Sequence, residues 1–358
     1  MTTINEDILD QMLRHEVGLR RFEAGTIREI MELLQRIDVR VTAELAKRDP
    51  GSNSFTDRRL RLLLRAIRGI NEEAYRAVTD KLQEQMRGLA SLEGGFQDAM
   101  LRQVATTFDL DVVTPSSAQL WAAVRAKPFL GRVLRQFVED LPKAALRVLE
   151  SEITAGFVEG RTTDQIIRDV RGTAELDFED GTLQQSRRST AMLVRTALNH
   201  TANEARAQVY RDNKNLIKGV QWVSTLDGRT SAICRARDGM VFPVDDGPRP
   251  PAHPNCRSTT VPVLKSWKQL GIKLKEAPPS TRASLNGQVP EKQTYQQWLK
   301  KQSVGFQDDV LGVKKGQLFR KGGLDLTKFV DRKGQEFTLD ELRIRERDAW
   351  KKAFGSSD

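Results

Sequence analysis

Apolar positions recur every three or four residues over most of this chain, and that spacing predicts one helix after another. Ile27, Ile30, Met31, Leu34, Ile37, Val41 and Leu45 form a single stripe on a helix over 4–48, with charges of both signs on its other faces. Asp49-Pro50-Gly51-Ser52-Asn53-Ser54 breaks the pattern, and Thr56 or Asp57 caps the next helix. That helix runs to about Leu89 and carries Leu60, Leu63, Ile67, Ile70, Ala74, Val78, Leu82 and Met86 on one side. Two long stripes joined by a short loop predict an αα-hairpin. Gly94-Gly95 is read as the entry to a third helix ending near Phe108.

Val112-Val113-Thr114-Pro115-Ser116-Ser117 marks a boundary, with Ser116 or Ser117 capping a helix over 118–126. Leu141-Pro142 restarts a helix bearing Ala145, Val148, Leu149, Ile153 and Phe157, and Gly160–Thr163 is a turn and cap before another with Ile166, Ile167 and Val170. Gly172–Gly181 holds four carboxylates in six residues without ligand spacing and reads as a solvated loop. The next helix, 183–215, places Val194, Ala197, Leu198, Thr201, Ala205 and Val209 on a small apolar stripe. Arg195, Asn199, Asn203 and Arg206 line an adjacent face, and His200 beside them reads as a hydrogen-bonded structural histidine.

The pattern changes at Gln221–Val263, where Gly, Pro, Thr and Val replace helix formers and short strands and turns are expected. Asp227-Gly228 and Asp238-Gly239 are turn dipeptides. Gly247-Pro248-Arg249-Pro250-Pro251 can be neither helix nor central strand, so it wraps a surface and returns His253 and Cys256 toward Cys234. Both cysteines and one of the three histidines fall in this stretch. The two thiols could be small buried residues, ligands of a metal together with His253, or a pair that oxidises after lysis.

In order along the chain stand Trp222, Thr225, Asp227, Arg229, Thr230, Cys234, Asp238, Gly239, Pro250, Pro251, His253, Pro254, Asn255, Cys256, Arg257 and Ser258. This series resembles the Mu F-like family of bacteriophage minor head, or head morphogenesis, proteins. Val194–His200 and Asn203–Arg206 resemble the helix that precedes the block in that family. The likeness covers roughly 190–264 and continues more weakly into the C-terminal part. The family's more widespread version has a cysteine three residues before the first matched one, which would make four ligands for a tetrahedral structural zinc. Here that position is Ser231. Cys234, His253 and Cys256 remain, with a fourth ligand to come from Asp238, His200 or water. Three ligands and a water also describe a catalytic zinc, so the alternative to an assembly protein is a zinc-dependent hydrolase or nuclease-like enzyme using this module.

Charge sharpens the picture beyond residue 264. Residues 265–292 read as a semi-extended linker. Between Trp267 and Gly334 stand 14 Lys/Arg against 6 Asp/Glu, so most of the chain's net charge of +10 lies there. Lys300, Lys301, Lys314, Lys315, Arg320 and Lys321 recur with Trp298, Phe306 and Phe319 between them, a pattern that suits a nucleic-acid backbone as well as a charged surface over a small core. A last helix is expected over 339–354, opened by Thr338. No basic and apolar leader stands at the N-terminus, and no apolar run approaches the roughly 20 residues of a membrane span, so a soluble protein made in the cytoplasm is expected. No Walker loop, nucleophile elbow or HExxH occurs.

The expected fold is mainly α: an N-terminal helical domain (1–112), a central helical region (113–220), the irregular α+β module (221–264) packed on helix 183–215, the linker, and a basic C-terminal extension (293–358). The resemblance implies a protein of the virion, several copies per particle, inside the capsid near the portal vertex. It further implies the portal protein and other head proteins as partners, packaged double-stranded DNA as a contact, no membrane, and action in head assembly and DNA packaging or ejection.

Overall fold

A computed structural model of the chain describes residues 4–52, 55–106, 110–266, 269–270, 281–285, 287–290 and 293–355. In order these form α1 (Ile4–Arg48), α2 (Asp57–Thr106), α3 (Ser117–Ala126), α4 (Leu134–Glu139), α5 (Leu141–Val158), α6 (Thr163–Arg171), α7 (Thr182–Asp212), β1 (Ile217–Val223), α8 (Ala232–Arg237), β2 (Val241–Phe242), β3 (Thr259–Leu264), β4 (Thr281–Ser284), β5 (Gly287–Pro290), α9 (Tyr295–Lys300), α10 (Val304–Leu311), α11 (Val313–Arg320), α12 (Leu339–Arg345) and α13 (Arg347–Phe354). The fold is mainly α with a small α+β module. No helix among the described residues is long and apolar enough to cross a membrane.

Two compact units make up the chain. One comprises Met1–Gly18, Gly94–Pro115 and Arg206–Asp358, the other Leu19–Glu93 and Ser116–Ala205. These are not consecutive segments of the kind 1–112 and 113–220 represent, because α1, α2 and α7 are each long enough to contribute to both. Gly94-Gly95 does not start a new helix, since α2 runs through it. A glycine costs a helix only about 1 kcal/mol relative to alanine, and strong formers flank this pair.

In the second unit the expected stripes are core: Ile30, Leu34, Ile37, Val41, Leu45, Leu63, Ile67, Val78, Leu82 and Met86 are all buried. Arg40 meets Glu73 at 2.8 Å and Lys81 meets Glu29 at 3.1 Å, an antiparallel pairing of α1 with α2. The turn between them is pressed on the start of α6. Gly51 N–H donates to Thr163 Oγ1 at 2.9 Å, and a Cβ at Gly51 would lie 2.2 Å from Thr163 N, so only glycine fits. Ser116 and Thr162 cap α3 and α6 with full capping boxes. Buried polar groups find partners: Tyr75 Oη lies 3.0 Å from Thr190 Oγ1, Asn71 donates to Pro142 O at 3.1 Å, and Arg187 pairs with Asp38.

In the first unit β1 is the centre of a three-stranded antiparallel sheet in the order β2-β1-β3. Val220 faces Phe242 on one side and Pro262 on the other. Met12, Met100 and Val261 share a small core, and His15 stacks on Phe96 at 3.7 Å. The end of α7 is clamped by Asn213, which exchanges hydrogen bonds with the Val113 backbone at 2.8 and 2.9 Å.

The C-terminal region is a packed body. Tyr295, Trp298, Leu299, Leu311, Leu318, Phe319, Leu326, Phe329 and Leu342 form its core together with Leu226 of the 221–264 stretch. The predicted last helix divides at Glu346, whose φ of −121° and ψ of 51° interrupt it. Part of the predicted linker is a β4–β5 hairpin in which Ser284 faces Gly287, so β structure extends beyond 264. Leu285 N–H donates to Leu226 O at 2.9 Å, tying the hairpin to the module. Residues 271–280, including Ala277-Pro278-Pro279-Ser280, lie outside the described residues.

His200 supplies a prediction for the second unit. It is 1% exposed, its Nε2–H lies 3.0 Å from Val124 O, and its ring stacks on Phe129 at 4.1 Å. Burial disfavours the imidazolium and lowers its pKa from 6.5 to about 4. The unfolded chain takes up a proton that the fold refuses, so this stabilisation is complete above about pH 6.5 and is lost as pH falls toward 4. Urea unfolding should give about 2 kcal/mol less stability from this group at about pH 5 than at about pH 7.5. A His200→Gln variant should remove that part of the pH dependence.

Candidate functional site

The site is built on β1 and the loop that follows it. Trp222 is fully buried, its Nε1–H donating to Ser224 Oγ at 3.0 Å, and Ser224 Oγ–H donates to Cys234 O at 2.8 Å. The turn 225–230 is organised by Asp227. Its carboxylate accepts from Arg229 N–H at 3.0 Å, from Thr230 Oγ1 at 3.1 Å and from the Arg257 guanidinium at 2.6 and 2.8 Å. Thr230 Oγ1 also reaches Thr225 O at 2.5 Å. Burial works against the Asp227 carboxylate, but the bonds and charge of Arg257 outweigh it and hold the pKa below the usual value. Arg229 is not the partner: its side chain is 85% exposed and 3.9 Å away.

Residues 231–238 are not the strand or turn expected. They form α8, one and a half turns with Ser231 at the N-cap, and Ile233, Cys234, Arg235 and Ala236 face inward. The signal was present in Thr230-Ser231 followed by Ala, Ile and Ala at helical spacing, but surrounding turn residues masked it. Asp238 ends α8, and its two carboxylate oxygens accept Ser224 N–H and Tyr295 N–H, each at 2.7 Å. Gly239 then takes φ +80°, where a Cβ would meet Thr294 Cγ2 at 2.9 Å. Tyr295 Oη–H returns to Asp227 O at 2.7 Å and Arg235 donates to Val310 O at 2.8 Å. Sequence reasoning missed Ser224, Tyr295 and Arg235, which join the module to the C-terminal body.

The proline wrap is short of backbone donors, and Arg249 supplies them to Pro243 O at 2.7 Å and to Val244 O and Pro248 O, each at 3.1 Å. Asn255 takes the left-handed conformation at φ 58°, and Cys256 N–H reaches back to His253 O at 3.2 Å. This turn puts His253 and Cys256 on one side, facing α8. Cys234 Sγ lies 3.7 Å from Cys256 Sγ and 3.3 Å from His253 Nε2, while Ser231 Oγ lies 2.7 Å from the same Nε2. Trp222, Ile233, Phe242 and Ala252 enclose the two thiols. Cys234 holds down the pKa of Cys256, with His253 adding to the effect against burial, while that of Cys234 is pushed up by Cys256 and burial.

These donors fit a zinc ion: the three ligand atoms lie within 4.8 Å of one another, and a tetrahedron with Zn–S of about 2.3 Å has an S–S edge of about 3.8 Å. Neither of the two side chains expected as a fourth ligand joins them. Asp238 is committed to two backbone amides, and His200 serves Val124.

The helix face read as a polar seam is differently distributed. Arg195 approaches Glu23 at 3.5 Å, and Asn203 donates to Asn199 O at 2.9 Å. Arg206 carries the contact with β3. Its fully buried guanidinium donates to Thr260 O at 2.9 Å and to Thr259 Oγ1 and pairs with Glu16 at 3.0 Å.

Residues 147–261, about a third of the chain, match the family model described as Phage Mu protein F like protein. Over that span the chain is similar to the Mu F-like family. The match begins in α5, earlier than the motif, and ends within β3, so it does not take in the C-terminal region. Comparisons with curated proteins and with solved structures return no match. The match supports a phage head-related protein and relates it to the virion.

Some of the basic C-terminal candidates are engaged within the chain itself. Lys315 pairs with Glu336 at 2.9 Å, Arg320 with Asp308 at 2.8 Å, and Lys301 donates to Gln293 at 2.9 Å. Lys300 Nζ lies 5.9 Å from the centre of the Phe319 ring, and Lys300, Lys301, Lys314 and Lys321 are all exposed. Trp298 and Phe319 are 1% and 2% exposed, so these aromatics are core and offer no stacking face to a base.

Asp227 and Arg257 make the most direct test of how the turn is held. Asp227→Asn and Arg257→Gln should each destabilise the chain, and the double variant should lose less than the sum. A coupling of about 2 kcal/mol in urea unfolding is expected. Arg229→Gln should change stability by under about 0.5 kcal/mol.

Proposed function

We propose that the chain is a phage minor head protein, portal-associated inside the capsid in several copies, acting in head assembly and in DNA packaging or ejection without chemistry of its own. The Mu F-like match carries this reading. The site supports it by how its polar groups are used: Asp227 and Asp238, the carboxylates that a general base would require, face Arg257 and backbone amides. Such groups hold turns rather than substrates. The portal and neighbouring head proteins are the proposed partners.

Contact with packaged DNA is the narrower part of the proposal. With Lys315 and Arg320 in internal ion pairs, the exposed Lys300, Lys301, Lys314 and Lys321 are left to meet phosphate, although Lys301 also bonds Gln293 and Lys300 lies over the Phe319 ring. Such binding would ignore sequence and weaken steeply with salt, since each neutralised phosphate releases counterion. A Lys314→Glu/Lys321→Glu variant should elute from double-stranded DNA at lower salt than the parent chain, with unchanged thermal stability. Equal elution of the two would assign the basic surface to a protein partner.

Location in the particle tests the main proposal. In purified phage the chain should be detected by mass spectrometry, be protected from added protease while heads are intact, and cross-link to the portal. Absence from purified particles, or full protease sensitivity in intact ones, would overturn it.

A further inference from the structure

We propose that Cys234, His253 and Cys256 bind a zinc ion as an open, three-ligand site whose fourth position, beside Ser231, is filled by the serine hydroxyl or by water. The inference is independent of the head-protein reading. The donor triangle is already drawn to coordination size, with edges of 3.7 Å between sulfurs and 3.3 Å from Cys234 Sγ to His253 Nε2. A disulfide would need the sulfurs at about 2.0 Å, and a tetrahedral zinc needs them where they stand.

The histidine is oriented for the task. Its Nδ1 lies 2.7 Å from Pro254 O, a carbonyl that can only accept, so Nδ1 carries the proton and Nε2 presents its lone pair to the thiols. Backbone anchoring of the distal ring nitrogen is the usual support of a ligating histidine. Two thiolates would neutralise the ion's charge, and Trp222, Ile233 and Phe242 enclose the sulfurs and keep bulk water from them. On the other side the group opens into a small cavity of about 20 Å³ lined by Thr225, Thr230, Ser231, His253, Asn255 and Arg257, room for about one water. Ser231 stands three residues before Cys234, and its Oγ meets the same Nε2 at 2.7 Å, which puts a weak ligand where a third thiolate would close the site. The ion held here would be exchangeable, in contrast to one locked by four protein ligands.

The test uses the full chain, purified under reducing conditions without chelator. Elemental analysis should find about one zinc per chain, and replacement by Co²⁺ should produce a thiolate-to-metal charge-transfer band. Cys256→Ser and His253→Ala should abolish the band. Ser231→Cys, which replaces the weak hydroxyl donor with a third thiolate, should slow extraction by a chelator about tenfold or more. A chain that takes up neither metal while both thiols remain reduced overturns the proposal. So does metal content indifferent to Cys256→Ser, or extraction unchanged by Ser231→Cys.

Discussion

The carboxylate of Asp238 receives one backbone N–H from the strand exit at Ser224 and one from the first residue of α9, Tyr295. It is 6% exposed, so neither amide has water as a ready substitute, and losing the acceptor leaves both unsatisfied at a cost of about 1–3 kcal/mol each. An irregular segment with prolines and turns has few ladder bonds to offer its own backbone. It closes only if side chains take up what the sheet and helices leave over. Asp238 does this between the module and the C-terminal body, Asp227 within the first turn, Arg249 along the proline wrap and Arg206 at β3.

From that arrangement the rest follows in order. The Asp227–Arg257 pair fixes the turn and brings the segment after the wrap beside α8, which places His253 and Cys256 against Cys234. Asp238 and Tyr295 then seat the C-terminal helices, and Leu226 enters their core. Reactive residue types thus gather on one small module for two separate reasons. The acids and arginines hold backbone, whereas the thiols and imidazole form a donor set of coordination size. Separating those roles leaves the proposed zinc site as a question distinct from what the acids and arginines do.

Much of the helical body was legible because amphipathic stripes are local. Ile30 to Leu45 and Leu63 to Met86 are buried as their spacing requires, and Ser116 and Thr162 cap where the capping-box pattern places them. What was not legible depends on distant partners. Nothing near Asp238 in sequence announces Tyr295, and nothing near Asp227 announces Arg257 as the partner of its carboxylate. Gly94-Gly95 was over-read, since helix formers on both sides carry α2 through it. Part of the expected 265–292 linker instead pairs as strands, Thr281–Ser284 with Gly287–Pro290. The basic run with interleaved aromatics is two patterns superposed: Trp298 and Phe319 build a core, and two of the cations, Lys315 and Arg320, pair with Glu336 and Asp308. The Mu F-like motif was readable as a series of polar and proline positions because each of those residues answers a specific backbone need.

Hydrogen exchange on the full chain carrying Asp238→Ala tests most directly whether this carboxylate holds the module and the C-terminal body together. The account predicts that the Ser224 and Tyr295 amides lose protection together and that amides throughout α9–α13 exchange faster in the same variant, while α3–α6 keep parental rates. Loss of protection confined to Ser224 and its neighbours, with the C-terminal helices as protected as before, would contradict it.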